Sequence, residues 1–178
     1  MLEFNFLEIV KLNLSPTEPN YEFDRLFTQY MSELNQEVKH SVSLALAQTP
    51  FMQPFLLVQN GEAKGFAVLQ EQFSTYQMSR FINLHDFYIC TSVRGQGLAR
   101  RFLVQLNELY QAEGYLKMTL EVNGKNEKAK ALYESLGFEL EVVKAPDLLR
   151  MQKYYWDYKP NSSSIYNRSY LAIETHAI

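Results

Sequence analysis

Arg94-Gly95-Gln96-Gly97-Leu98-Ala99 is the stretch of this chain best suited to chemistry. Gly95 and Gly97 lack Cβ atoms, so an anion can come close to the backbone amides. A helical pattern opens at Gly97. The first amides of a helix have no internal partners and sit at the positive end of its dipole. Arg94, Arg100 and Arg101 add positive charge beside the loop. A phosphate cradle is the chemistry this pattern supports, although a tight strand-to-helix turn has the same look. A dinucleotide loop of the form Gly-x-Gly-x-x-Gly requires a third glycine where Arg100 stands. Glu121 imitates the ribose-binding acid of such a fold, so that alternative stays open at this point. The nucleoside-triphosphate loop is absent, because no Gly-Lys-Ser or Gly-Lys-Thr occurs.

The loop needs a strand before it and a helix after it, and the sequence supplies both. Residues 81–91 alternate as a strand, with Leu84, Asp86, Tyr88 and Cys90 on one face and His85, Phe87 and Ile89 on the other. Residues 97–113 carry the apolar stripe Leu98, Phe102, Leu106 and Leu109, with Gly114 at the C-cap. Residues 115–122 follow as a strand, and residues 126–136 as a helix closed by Gly137. Upstream, residues 4–12 read as a strand. The breakers at 15–20 precede a helix in which Phe23, Leu26, Phe27, Tyr30, Met31 and Leu34 recur at helical spacing, and residues 39–48 form a second, short helix. Residues 54–59 and 62–72 are two strands joined by Asn60-Gly61, a dipeptide that tolerates positive φ at both turn positions. Residues 138–143 and 149–155 complete the strands. Runs of adjacent strands mixed with strand–helix–strand units predict an α/β (mixed α+β) protein, with a mixed sheet and helices packed on it. Residues 1–158 form one domain in this reading, and 159–178 a linker and tail placed at a subunit interface.

Composition narrows the classes. Hydrophobic residues at 47% and charged residues at 21% are ordinary for a globular protein, so an extended disordered chain is excluded. A net charge of −3 argues against nucleic acid as a partner. The single cysteine, Cys90, allows no internal disulfide and reads as a buried strand residue. No apolar run approaches the roughly 20 residues of a membrane span, and no signal peptide is evident, which points to a cytoplasmic protein. His40 and His176 form no metal-ligand cluster with other residues, and no metal is expected.

Two separated motifs give the chain a resemblance to the GCN5-related N-acetyltransferase (GNAT) superfamily. One is the loop itself, similar to the family's Gln/Arg-x-x-Gly-x-Gly/Ala. The other is Leu120-Glu121-Val122-Asn123 followed by Asn126, Ala129, Ala131-Leu132-Tyr133 and Leu136-Gly137-Phe138. The resemblance spans about residues 54–155. It implies a mixed, mostly antiparallel central sheet with helices on both faces, splayed between its fourth and fifth strands, with the pantetheine arm of acetyl-CoA lying in the splay like an added strand. The amides of Gly95, Gln96, Gly97, Leu98 and Ala99 would then hold the pyrophosphate, with Arg94 of the same loop also binding the cofactor. Backbone at Tyr88, Ile89 and Val93 would meet the pantetheine and acetyl group, and Asn126 the cofactor arm.

The resemblance also implies direct transfer to an amine, without an acyl-enzyme. Such a reaction needs a neutral amine, a donor for the developing oxyanion and a proton for the departing thiolate. Tyr133 takes the place of the family's general acid. Glu121 and Asp86 are the candidate bases, and His85-Asp86-Phe87-Tyr88-Ile89 looks like a stretch found in small-amine acetyltransferases, with His85 where those have glutamate. The expected function is an acetyl-CoA-dependent N-acetyltransferase acting on a primary amine of a small molecule. Acetylation of a protein N-terminus or lysine is the alternative within the enzyme class, and a non-catalytic acyl-CoA-binding module the alternative outside it. A homodimer through the tail is a further expectation.

Overall fold

Asn60 and Gly61 both adopt positive φ, 52° and 80°, which is the backbone a two-residue hairpin requires. They join strand β2 (Met52–Gln59) to β3 (Glu62–Ser74) in the computed structural model, which describes residues 6–140. With β1 (Leu7–Lys11), β4 (Ser79–Ile89) and β5 (Met118–Leu120) these strands form one five-stranded sheet in the order β1-β2-β3-β4-β5. The first four run antiparallel, and β5 lies parallel to β4. The mixed sheet expected from the order of elements is therefore present.

Helix α1 (Tyr21–Glu33) starts at Asn20, whose side chain accepts from Phe23 N–H at 2.9 Å. Asp24 on α1 then organises the short helix α2 (Val42–Ala47). Its carboxylate accepts from Ser41 Oγ at 2.6 Å, from Ser43 N–H at 2.8 Å and from Ser43 Oγ at 3.1 Å. Ser41 in turn caps α2 by accepting from Leu44 N–H. This cap explains why α2 is shorter than the expected span 39–48.

Helix α3 (Leu98–Ala112) covers the opposite face. Leu98, Phe102, Leu103, Leu106 and Tyr110 are buried against Phe55, Leu57, Leu69, Ile82, Leu84 and Ile89. On the α1 face Phe23 and Leu26 pack on Leu56, Phe66, Val68, Tyr88 and Cys90. Each fully buried Leu or Phe contributes roughly 1.5–3 kcal/mol, so these two apolar layers clamp the sheet from both sides. Helix α4 (Glu127–Glu134) adds Leu132 and Tyr133 to the edge of the α3-side core.

β5 is much shorter than the expected strand over 115–122. Tyr115 N–H still bonds to Tyr110 O as the chain leaves α3, and pairing with β4 stops at Leu120. The chain divides into Met1–Gly137 and Phe138–Ile178. Of the second unit only residues 138–140 are described, and they carry no strand. The rest of the expected strand over 138–143, the strand over 149–155 and the boundary at 158 lie outside the described residues.

Candidate functional site

The site begins with one extra residue in β4. Val68 faces Asp86, but Leu69 faces Leu84, so His85 is a bulge on β4. A bulge reverses the alternation of faces. Leu84 consequently joins the α3-side core with Phe87 and Ile89, while Tyr88 and Cys90 face α1. This corrects the expected grouping of Leu84 with Asp86, Tyr88 and Cys90, because strict alternation takes no account of an inserted residue. Asp86 is 8% exposed and lies opposite Val68, on the α1 side.

The same bulge marks the point where the sheet opens. β4 pairs with β5 through Ile82–Met118, Asn83–Thr119 and Leu84–Leu120, and the ladder ends there. β4 continues to Ile89 alongside β3 alone. Cys90 N–H donates to Lys64 O at 2.8 Å, on the β3 side. Alternate residues of an antiparallel strand share an edge, so Tyr88 backbone groups face β3 and those of Phe87 and Ile89 face the opening. Among the described residues no strand pairs with that edge beyond Leu84. It is a polar edge that an extended ligand can complete by backbone pairing.

The edge runs directly into the glycine loop. A single 3-10 turn (Thr91–Val93) brings the chain to Arg94, and Gly95 and Gly97 follow at φ 79° and 76°. An added Cβ at either glycine meets nothing within 4 Å, so the space before the loop is open. Leu98 is buried and fixes the helix start, while residues 95–97 are exposed. The first intrahelical bond is Arg101 N–H to Gly97 O, which leaves the amides of Leu98, Ala99 and Arg100 pointing outward at the dipole's positive end. The loop, Ile89 and the half-buried Val93 thus form one continuous surface, whereas Tyr88 presents its ring to α1.

Two of the three arginines expected to surround the loop with charge are committed elsewhere. Arg94 pairs with Glu33 of α1 at 2.9 Å and donates through Nε to Ile89 O at 2.8 Å. Arg100 reaches Ser135, just past α4, at 2.7 Å. What the loop offers an anion is therefore backbone amides more than the charge of Arg94 and Arg100. Asn126 caps α4, its side-chain oxygen accepting from Ala129 N–H at 3.2 Å, which commits that oxygen and not its NH2 donors.

Tyr133 lies on α4, half-buried, against the same apolar cluster as Phe87 and Leu120. Burial pushes its phenol above the usual value. Glu121 follows the last residue of β5 and is exposed. Asp86 on β4 and Glu121 just after β5 thus lie beyond the pair Leu84–Leu120, where the pairing of the two strands ends. Cys90 is buried, with its Sγ 3.7 Å from Gln29 Oε1. Lys130 pairs with Glu127. On the α1 face a cleft of about 900 Å³ is lined by Gln29, Glu33, Lys64, Tyr88, Cys90 and Ser92 among others.

Sequence reasoning missed Glu33. One signal was present: a carboxylate ends a helix whose last turn holds no basic residue, where the dipole disfavours negative charge. Such a residue needs a cation from elsewhere in the chain.

Residues 16–138 match the model of the Acetyltransferase (GNAT) family. The uncharacterized N-acetyltransferase YhfO of Bacillus subtilis (strain 168) is 29% identical over 118 residues, which cover 64% of this chain and 79% of that protein. The [ribosomal protein bS18]-alanine N-acetyltransferase of Escherichia coli (strain K12) is 32% identical over 90 residues, 51% of this chain and 57% of that one. Among solved structures, the aminoglycoside N-acetyltransferase AAC(6')-Iy in complex with CoA superposes with a TM-score of 0.66 at 17% identity, covering 86% of this chain and 98% of its own, and so shares the fold.

Proposed function

The chain belongs to the GNAT acetyltransferase family, and from that premise we propose that it transfers acetyl from acetyl-CoA directly to a primary amine of a small molecule. The observation that carries this reading is the open edge of β4 leading without interruption into the glycine loop. A pantetheine arm is an extended, amide-bearing chain of the kind that edge can pair with, and a pyrophosphate is the anion that the amides of residues 95–99 suit. The open space at Gly95 and Gly97 fits a close approach of phosphate oxygens.

The chemistry then follows from position. The amine nitrogen attacks the thioester carbonyl, and the carbonyl oxygen takes up negative charge within reach of the Ile89 N–H. Collapse of the tetrahedral adduct forms the amide and breaks the carbon–sulfur bond. Tyr133, a phenol protonated at neutral pH, supplies the proton to the leaving thiolate. The amine's proton passes to a carboxylate, Asp86 or Glu121, directly or through water. Two carboxylates at the mouth of the splay favour a cationic amine on electrostatic grounds.

A second reading, acetylation of a protein N-terminus, is favoured by the likeness to the E. coli alanine N-acetyltransferase. One experiment separates the two. Purified protein with acetyl-CoA is offered polyamines, aminoglycosides and alanine-starting peptides, and thiol release is followed. Turnover confined to small amines supports the main reading, and turnover confined to peptides replaces it with the second.

A further inference from the structure

Arg94 opens the proposed coenzyme loop, yet its guanidinium turns back from it. Its Nε donates to Ile89 O at 2.8 Å, and its Nη2 donates to both Glu33 carboxylate oxygens, at 3.0 and 2.9 Å. The guanidinium carbon lies 5.4 Å from the centre of the Tyr88 ring. Tyr88 completes the cluster by donating its hydroxyl to Glu33 Oε1 at 3.1 Å. Glu33 is the last residue of α1, a position that the helix dipole makes unfavourable for a carboxylate unless a cation answers it. Here the cation comes from 61 residues away.

We propose that Glu33 is a positioning residue for the coenzyme loop, acting through Arg94. The inference rests on the reading that this loop holds the coenzyme's pyrophosphate. Gly95 and Gly97 give the loop its shape but also its freedom, and glycine loses more conformational entropy on ordering than any other residue. Preorganised amides therefore need an anchor on each side. On the helix side the anchor is the buried side chain of Leu98. On the strand side it is Arg94, held by the end of β4, by the Tyr88 ring and by Glu33. Of these three holds, only Glu33 comes from α1, so it ties the loop to the helix that covers the other face of the sheet.

Two donors test this. Acetyl-CoA carries the pyrophosphate, and S-acetylpantetheine offers the same thioester without it. Glu33→Gln keeps the size of the side chain and an acceptor for Tyr88 while removing the charge. A half-exposed pair of this kind is worth about 1 kcal/mol, so the expected result is about a fivefold rise in Kd and KM for acetyl-CoA at unchanged kcat. Turnover with S-acetylpantetheine is expected to stay at the wild-type level. Glu33→Gln added to Arg94→Gln is expected to cost nothing further. Wild-type acetyl-CoA affinity in Glu33→Gln, equal losses with both donors, or full additivity with Arg94→Gln would each overturn the proposal. A wild-type protein that does not bind acetyl-CoA would instead remove the functional reading on which it rests.

Discussion

Replacing Gly97 by alanine separates the two roles that a glycine can have at a helix start. Gly97 sits at φ +76°, and Gly114, past the other end of the same helix, sits at φ +77°. Neither has anything within 4 Å of an added Cβ. The backbone cost is therefore the same for both, roughly 1–2 kcal/mol for an L-residue in left-handed conformation. For a chain of this size that corresponds to a drop in Tm of about 2–4 °C per kcal/mol. The difference lies in what approaches. In the proposed mode of coenzyme binding, the new methyl at Gly97 occupies open space through which phosphate oxygens would reach the amides. Loss of one charge-assisted hydrogen bond is worth about 1.5–3 kcal/mol, or about ten- to a hundredfold in Kd. At Gly114 coenzyme affinity is expected to stay within twofold. Thermal melts and calorimetric titration with CoA measure both quantities. Equal melting losses with unequal affinities support the reasoning. If Gly97→Ala binds CoA as well as Gly114→Ala does, the amides of this loop do not hold the pyrophosphate.

Further outcomes follow from other parts of the structure. Tyr133→Phe is expected to lower kcat by about 10²–10⁴ while acetyl-CoA affinity holds, the signature of a lost general acid; equal turnover in steady-state assays would remove Tyr133 from the mechanism. Phe102→Ala removes a fully buried ring that packs 5.6 Å from Phe87, and should cost about 3–5 kcal/mol in denaturant unfolding. A cost below about 1 kcal/mol would contradict the placement of α3 on the sheet. Asp24→Ala strips the three bonds that hold Ser41 and Ser43, and α2 amides are expected to exchange with solvent faster while those of α3 do not change. The Tyr88 phenol is pushed up to about 12 by its burial and by its bond to Glu33. The folded state then keeps a proton that the unfolded state loses near pH 10, so stability should fall as pH rises from about 10 to about 12. Tyr88→Phe should flatten that decline in alkaline melts, and a decline of equal slope would assign it to other groups.

Local sequence signals located most of what positions the site. Asn60-Gly61 marked its hairpin because the turn demands positive φ at both residues, and the stripe from Leu98 to Leu109 marked α3 because its buried face recurs at the helical period. The loop of residues 94–99 was legible because its glycines and the helix after it are neighbours in the chain. The bulge at His85 was not, since register depends on what β3 presents opposite and alternation within β4 alone assumes no insertion. The length of β5 was not legible for the same kind of reason: residues 115–122 have strand-like composition, but only Met118–Leu120 pair in register with Ile82–Leu84, and no pairing with β4 continues past Leu120. Charge around the loop was misjudged because Glu33 and Ser135, which engage Arg94 and Arg100, are distant in the chain. Spacing shows which charges are near in sequence. It does not show which are already paired.

The most direct test of the central claim is a crystal structure of the protein with coenzyme A. The pyrophosphate oxygens are expected within hydrogen-bond distance of amides in residues 95–99, with the pantetheine arm paired to the backbone of Phe87 and Ile89 and its sulfur near Tyr133. Coenzyme bound away from the β4 edge, or with its phosphates held by side chains and the loop amides left in solvent, would contradict it.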